Sequence, residues 1–177
     1  MHDRRLVTRC KRGDRDALRR IYEKHRDKLL IVAIALSHDV SVAEDALHDV
    51  FVAFAENLAC FELRGNLKAY LATCTANRVR DLMRRRRRAT ANPGADPSAA
   101  SDRDEPGRLV ACNEELRRVS AALAQLPAEQ REVIVLRLYG QLRFRAIAQT
   151  TGVSVNTVKG RYRYGIGNLR SMLNGEV

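Results

Sequence analysis

The sequence predicts an all-α protein: two small helical domains joined by a flexible linker, with a helix-turn-helix in the second domain. Hydrophobic residues make up 45% of the 177 residues, enough to bury a core, whereas aromatic residues are only 5%. Ala, Leu and Arg dominate, and these are good helix formers, while the β-branched runs expected of strands are scarce. One segment rich in proline and small residues divides the chain.

The first domain, residues 1–88, shows apolar residues at helical spacings in three stretches. The first stretch runs from Asp14 to Leu36. A second helix is predicted to begin at Ser41, because Ser41 stands where a helix cap is expected and Glu44 follows at the capping-box position. A loop from Leu58 to Gly65 then precedes a third helix.

The linker is predicted over residues 89–110. Its core, ATANPGADPSAASDRDEPG, holds three of the four prolines and four acidic residues but little apolar content. Burial of so little apolar surface cannot offset the conformational entropy that the segment would lose on ordering. The second domain, residues 111–177, begins with a helix near Ala111 that ends before Pro127. Three further helices are predicted, over Glu129–Tyr139, Phe144–Thr151 and Val155–Leu173.

The formal net charge of +11 indicates a polyanionic partner, with nucleic acid ahead of an anionic membrane surface. No apolar run approaches the roughly 20 residues of a membrane span. The charged start, MHDRR, leads into no signal-peptide core. These features predict a cytoplasmic protein without a membrane partner.

The cysteines and histidines do not form a pattern that carries chemistry. No two of the four cysteines form a CxxC pair, and no histidine lies at ligand spacing from them, so we expect no metal site. The simplest interpretation is that the four cysteines are reduced thiols and that most of them are buried. No nucleophile–base or paired-carboxylate arrangement stands out either, so the sequence predicts neither an enzyme nor a cofactor.

Charge is unevenly distributed along the chain. From Leu29 to Leu63 there is no Lys or Arg but there are six acids, so this stretch would be repelled by phosphate. It is either a surface for a protein partner or an ordinary solvated acidic face. By contrast, Gln141–Gly175 contains six basic residues and no acid.

Five consecutive arginines, residues 84–88, end the third predicted helix. Arginine at a helix C-terminus is favourable for the helix dipole, which is one explanation of the run. Five in a row exceed what capping requires, and contact with phosphates is therefore favoured.

The segment FRAIAQTTGVSVNTVKGRYRY has the spacing of a helix-turn-helix. Ala148 is a small residue where two helices would cross, and Gly152 would supply the left-handed turn. Ser154 is placed to cap the second helix. A plain helical hairpin would explain this spacing but not six cations without an acid, so DNA binding is favoured.

Three segments, in order, resemble a known family. VAEDALHDVFVAF resembles the polymerase-docking helix of bacterial sigma factors, and YLATCTANRVRDLMRR resembles their promoter-melting helix. LPAEQREVIVLRLYGQLRFRAIAQTTGVSVNTVKGRYRYGIGNLR resembles their C-terminal domain along its whole length. Two such domains with only a short linker between them resemble the extracytoplasmic-function group of the sigma-70 family.

The resemblance implies that the first domain binds core RNA polymerase and captures a flipped base of the minus-ten element. The residues that match the docking helix are Glu44, Asp45, Asp49 and Phe51. Those that would lie near the melted strand are Asn66, Leu67, Lys68, Tyr70, Asn77, Arg78 and Arg84. Capture of a single strand needs a pocket for an unstacked base and cations along the backbone.

The resemblance also implies that the second domain reads the minus-thirty-five element of promoter DNA. The matching residues are Arg143, Arg145, Ser154, Asn156, Thr157, Lys159, Arg161 and Arg163. Arg143 and Arg145 replace the small polar and acidic residues usual in the family, which would add phosphate contact at the expense of discrimination. Members of this size are commonly silenced by an anti-sigma protein, so such a partner is also implied.

Two other classes of protein remain as alternatives. A helix-turn-helix regulator could bind DNA without polymerase, but it would need a ligand pocket or receiver domain that the small first domain does not offer. An RNA-binding adaptor would fit the arginine run, but the sequence shows no stacking platform of interleaved aromatics.

Overall fold

The computed structural model of the chain describes residues 2–63, 65–90 and 121–174. All regular secondary structure within these ranges is helical, which confirms the predicted all-α class. The helices whose bounds are defined are α1 (His2–Lys11), α2 (Arg15–Ser37), α3 (Val40–Glu56), α4 (Leu67–Thr90), α5 (Ala128–Leu138), α6 (Phe144–Thr151) and α7 (Val155–Asn174).

Helix α1 was not predicted from the sequence. Only three of its ten residues are apolar, and these, Leu6, Val7 and Cys10, are all buried against the rest of the domain. A helix this short is marginal by itself, so packing of one narrow face stabilises it rather than propensity. Asp3 also forms an ion pair with Lys24 of α2.

The start of α3 differs from the prediction. The helix begins at Val40, and its cap is Asp39, whose carboxylate accepts a hydrogen bond from the Val42 N–H at 3.1 Å. Ser41 therefore lies inside the first turn rather than at the cap. Both residues are good caps. Asp39 rather than Ser41 is the cap because His38 ends α2 in the left-handed conformation and Asp39 then has the extended backbone that a cap residue adopts.

Helices α2, α3 and α4 pack against one another and form the core of the first domain. Buried side chains from all three share this core, including Ile21, Leu29, Leu47, Phe54 and Leu71. Helix α4 continues to Thr90, two residues into the predicted linker. The rest of that linker lies outside the described residues.

In the second domain, α5, α6 and α7 lie within one or two residues of their predicted bounds. Of the helix predicted from near Ala111 to before Pro127, only residues 121–125 belong to the described ranges, and they are helical. Val133, Ile147 and Val158, one from each of α5, α6 and α7, are fully buried.

The two domains contact each other directly. Helix α5 packs against α2, and Arg80 Nε of α4 donates to Glu132 Oε1 of α5 at 2.9 Å. Where the chain leaves α5, Gly140 lies so close to α4 that an added Cβ would be 3.2 Å from the Ala72 Cβ. Residues of both domains belong to a single buried cluster as a result.

Candidate nucleic-acid and protein interfaces

Helices α6 and α7 form the helix-turn-helix that the sequence predicts. Gly152 has a φ of 71°, in the left-handed region, and its N–H donates to the Ala148 carbonyl at 2.9 Å. Ser154 caps α7, because its Oγ accepts the Thr157 N–H at 3.0 Å. Ile147 and Val158 are fully buried where the two helices pack. This geometry fixes which face of α7 is directed outward.

The outward face of α7 carries cations that no acid of the described residues neutralises. Asn156, Thr157, Lys159 and Arg163 are exposed, and Arg161 is half-buried. Within the described parts of the chain, no carboxylate lies within 4 Å of these three cations. Arg163 lies over the ring of Tyr164, with its Cζ 5.2 Å from the ring centroid, which orders the side chain without cancelling its charge.

Two more cations lie where α6 begins. Arg143 occupies the cap position without a capping side-chain hydrogen bond, and Arg145 is in the first turn; both are exposed. Positive charge at a helix N-terminus opposes the helix dipole. The helix itself therefore gives no reason for arginine at these two positions.

In α3, the predicted docking residues fall into two groups. Glu44 and Asp45 are exposed. Asp49, one turn beyond Asp45, accepts a hydrogen bond from Arg78 Nε of α4 at 2.7 Å, and this ion pair ties α3 to α4. Phe51 is only 8% exposed and packs edge-on against Tyr22, with ring centroids 4.8 Å apart. Its main contribution in this conformation is to the core.

A groove of about 560 Å³ runs between α2 and α3. Its apolar lining includes Leu18, Tyr22 and Val52, and Glu44 and His48 of α3 also line it. A protein bound along the acidic face of α3 would therefore cover this groove as well.

The residues predicted near a melted strand are only partly brought together. Asn66 caps α4, since its Oδ1 accepts the Lys68 N–H at 2.9 Å. Leu67 is 0% exposed, so the prediction that it faces DNA is corrected: its side chain is part of the core. Lys68 is half-buried, and burial together with nearby Lys28 lowers its pKa.

Tyr70 belongs to a cluster of three aromatic rings, from the exposed Tyr70 to the buried Phe54, that the sequence did not predict. Its ring centroid lies 4.8 Å from that of Phe61 and 6.5 Å from that of Phe54, and the tyrosine is 40% exposed. Burial of the hydroxyl, and its contact and hydrogen bond with Cys74, raise the pKa of Tyr70 to about 12. The three rings come from the end of α3, the loop after it and the start of α4, so no helical spacing in the sequence indicated that they pack together.

The remaining predicted cations of α4 have partners. Arg78 binds Asp49, as described above, and Arg84 Nη2 lies 2.8 Å from Asp81 Oδ1 on the same helix. Asn77 is exposed. The resemblance and the charge of the segment predict that these arginines contact DNA, whereas in the structure both form ion pairs within the protein.

The described residues contain no group of three or more His, Cys, Asp or Glu side chains that could hold a metal ion. Cys10, Cys60 and Cys74 are free thiols; Cys60 is exposed, contrary to the expectation of mostly buried cysteines, and Cys112 lies outside the described ranges. No helix in these ranges is long and apolar enough to cross a membrane.

Profiles of two sigma-70 regions match the chain. The profile of sigma-70 region 2 matches residues 21–89, and that of sigma-70 region 4 matches residues 116–164. The chain is 30% identical to the RNA polymerase sigma factor CnrH of Cupriavidus metallidurans over 97% of its own length and 92% of the relative's. It is 29% identical to the sigma factor SigL of Mycobacterium tuberculosis over 88% of both chains.

Two solved structures share the fold. The sigma factor RpoE of Bartonella quintana, solved in complex with the anti-sigma factor NepR, superposes with a TM-score of 0.68 at 26% identity and covers 88% of this chain and 96% of its own. CnrH in complex with the cytosolic domain of CnrY gives a TM-score of 0.67 at 26% identity, with full coverage of both chains.

Proposed function

We propose, on the premise that this chain belongs to the extracytoplasmic-function group of the sigma-70 family, that its two domains divide promoter recognition between a melted strand and a duplex. As a sigma factor the chain directs promoter recognition and transcription initiation. Members of this family act by binding, not by a catalysed reaction of their own. The observation that carries the proposal is the separation of charge between two helices. The exposed acids of α3 suit core polymerase, and the cations of α7, which have no carboxylate within 4 Å among the described residues, suit duplex DNA.

Helix α3 is the proposed docking surface for core RNA polymerase. Glu44 and Asp45 are exposed and have no lysine or arginine on their own helix to neutralise them. Such acids steer and orient a basic protein surface, while the neighbouring apolar groove supplies area to bury. Asp49 would contribute through its pair with Arg78, which holds α3 in place.

The aromatic cluster is the proposed contact for the melted minus-ten strand. Tyr70 and Phe61 offer ring faces and edges to an unstacked base, and stacking of this kind is worth roughly 1–3 kcal/mol per base. Lys68, Asn77 and Arg84 belong to the same helix, and we expect them to contact the strand's backbone or bases. For Arg78 to join them, DNA phosphate would have to replace Asp49 as its partner.

The duplex minus-thirty-five element is the proposed ligand of the second domain. Amide and guanidinium groups at Asn156 and Arg161 have the donors that base edges require, while Lys159 and Arg163 suit phosphates. Arg143 and Arg145 extend the positive surface from α7 to the start of α6. Ser154 is already used as the cap of α7, so its contribution is to orient that helix.

An anti-sigma protein is a further proposed partner. The two structural relatives described above were solved with an anti-sigma factor and with the cytosolic domain of CnrY, respectively. The groove between α2 and α3 offers such a protein an apolar surface next to the proposed polymerase face. Promoter activity that stays the same when every neighbouring regulatory gene is deleted would contradict this control.

Retention of core polymerase by the tagged chain tests the docking surface. Asp45→Lys should weaken retention about tenfold or more, because a like charge then faces the basic partner. The pair Asp49→Arg with Arg78→Asp should also weaken it, since this swap keeps the α3–α4 ion pair but replaces one of the acids of α3 with a positive charge.

The matched control is Asp27→Lys, which changes an exposed acid of α2 by the same charge. It should retain core polymerase like the wild type, and all variants should keep the helical circular dichroism of the parent. A wild-type chain that binds promoter DNA but never core polymerase would instead establish the alternative, a helix-turn-helix regulator independent of polymerase.

A further inference from the structure

Gly160 lies in the middle of the outward half of α7, where a glycine needs an explanation. Glycine inside a helix is less favourable than alanine, because it loses more backbone freedom on folding. Helix α7 contains three glycines, at positions 160, 165 and 167. The surroundings of Gly160 and Gly165 in the structure differ, and so do the reasons for a glycine at each position.

Internal packing accounts for Gly165. A Cβ at this position would lie 2.8 Å from Ile134 Cδ1 and 3.1 Å from Gln130 Cβ, so α5 and α7 could not approach as closely with any other residue. Nothing comparable surrounds Gly160: apart from the backbone of its own helix, no heavy atom of the described residues lies within 4 Å of the Cβ position. Its φ is also not positive. Neither packing nor backbone conformation within the protein therefore requires glycine at 160.

The missing side chain leaves a hollow on the surface of α7. It measures about 230 Å³ and is lined by Asn156, Lys159, Gly160 and Arg163, which follow one another at three- and four-residue spacing on one helix face. Val158 and Gly165, on the opposite face, are buried. The hollow thus opens outward, between an amide and two cations that have no carboxylate partner among the described residues.

We propose that Gly160 is a specificity-determining residue at which the backbone of α7 makes its closest approach to a base pair of promoter DNA. The edge of the base enters the hollow, Asn156 hydrogen-bonds to it, and Lys159 and Arg163 hold the flanking phosphates. This inference rests on the proposed function of α7 as the helix that reads duplex DNA. A glycine at such a contact is needed because a methyl group would hold the helix away and stretch the neighbouring hydrogen bonds beyond their working length.

Alanine substitution separates this role from a structural one, because the two predict opposite effects. Gly160→Ala has free space for its methyl group and removes a helix-breaking residue, so it should raise the Tm by about 2–6 °C. The wild-type holoenzyme first selects its preferred duplex from a library randomised in the minus-thirty-five region. The reconstituted Gly160→Ala holoenzyme should nevertheless bind that duplex about tenfold more weakly than the wild type does. On a duplex with that region scrambled, the loss should be much smaller.

Gly167→Ala is the matched control. Apart from the backbone of its own helix, no heavy atom of the described residues lies within 4 Å of its Cβ position either, and Gly167 lies seven residues, or about 10.5 Å, further along the same helix. It should raise the Tm by a similar amount and leave the affinity for both duplexes unchanged.

The outcomes distinguish this inference from the function on which it rests. If the wild-type holoenzyme selects no minus-thirty-five sequence, the proposed role of α7 is wrong, and Gly160 loses its role with it. If the wild type selects one and Gly160→Ala binds it equally well, only the role of Gly160 is overturned. An equal loss on selected and scrambled duplexes would overturn the base contact, and so would a matching loss in Gly167→Ala.

Discussion

The arginines of α4 and the cations of α6 and α7 are the same kind of residue used in two different ways. In α4, Arg78 binds Asp49 of α3, and Arg80 binds Glu132 of the other domain. Arg86 pairs with Asp39, the cap of α3. In α6 and α7, no cation has a carboxylate within 4 Å among the described residues.

Because of this difference, an arginine of α4 and a cation of α6 or α7 should not contribute equally to DNA binding. A cation that already has a carboxylate partner releases fewer counterions when it meets DNA, because part of its charge is compensated beforehand. The first domain uses part of its basic charge to hold its own helices and to contact the second domain. In the second domain, the cations of α6 and α7 have no such carboxylate partner among the described residues.

The largest expected effect tests base reading by the second domain. Arg161→Ala should cost roughly 1–3 kcal/mol of binding on the preferred promoter and flatten the preference at one base pair, because a guanidinium that hydrogen-bonds to a base edge carries sequence information. Binding of holoenzyme to matched and mismatched minus-thirty-five duplexes measures this. If Arg161→Ala weakened binding equally on every sequence, Arg161 would contact a phosphate and not a base.

A smaller effect separates the two groups of cations by their salt dependence. Lys159→Ala should weaken binding to all sequences alike and reduce the slope of log K against log salt by about one. Arg78→Ala should change the slope by less, since Asp49 already compensates that charge. Holoenzyme titrations on one promoter at several salt concentrations compare the two variants. Equal changes in slope would show that the Arg78–Asp49 pair opens on DNA, and the contrast between the domains would be lost.

The smallest expected effect concerns pH and the first domain alone. His25 is 3% exposed, and this burial lowers its pKa below the ordinary 6.5. The positive charges of Lys24, Lys68 and Lys28 lower the pKa further, whereas the carboxylate of Asp3, 3.6 Å away, raises it. The unfolded chain therefore binds a proton more readily, so the stability due to neutral His25 is complete above about pH 6.5 and is lost as the pH falls through the lowered pKa of the folded state.

The variant His25→Gln should remove part of this acid sensitivity, so that its Tm falls less than that of the wild type between pH 7 and pH 5. His48, exposed on α3, provides the control: His48→Gln should follow the wild-type pH profile. A wild-type Tm independent of pH over this range would refute the role assigned to His25.

The sequence by itself determined the helical class, most helix bounds and the helix-turn-helix. These depend on local rules: apolar residues at three- and four-residue spacing, a capping serine at 154, and a glycine at 152 for a left-handed turn. Local rules failed where two candidates competed, as at Asp39 and Ser41, and where a short polar helix depends on burial, as in α1.

Only the tertiary structure decided which charges and which glycines are free to meet a partner. The carboxylates that bind Arg78 and Arg80 lie 29 and 52 residues away along the chain, and no pattern of neighbouring residues indicates such pairs. Likewise, Gly160 and Gly165 are alike in the sequence, but α5 fills the space beside one and nothing fills the space beside the other. Packing brings distant side chains together, and that proximity is what separates an internal contact from a surface left open for DNA.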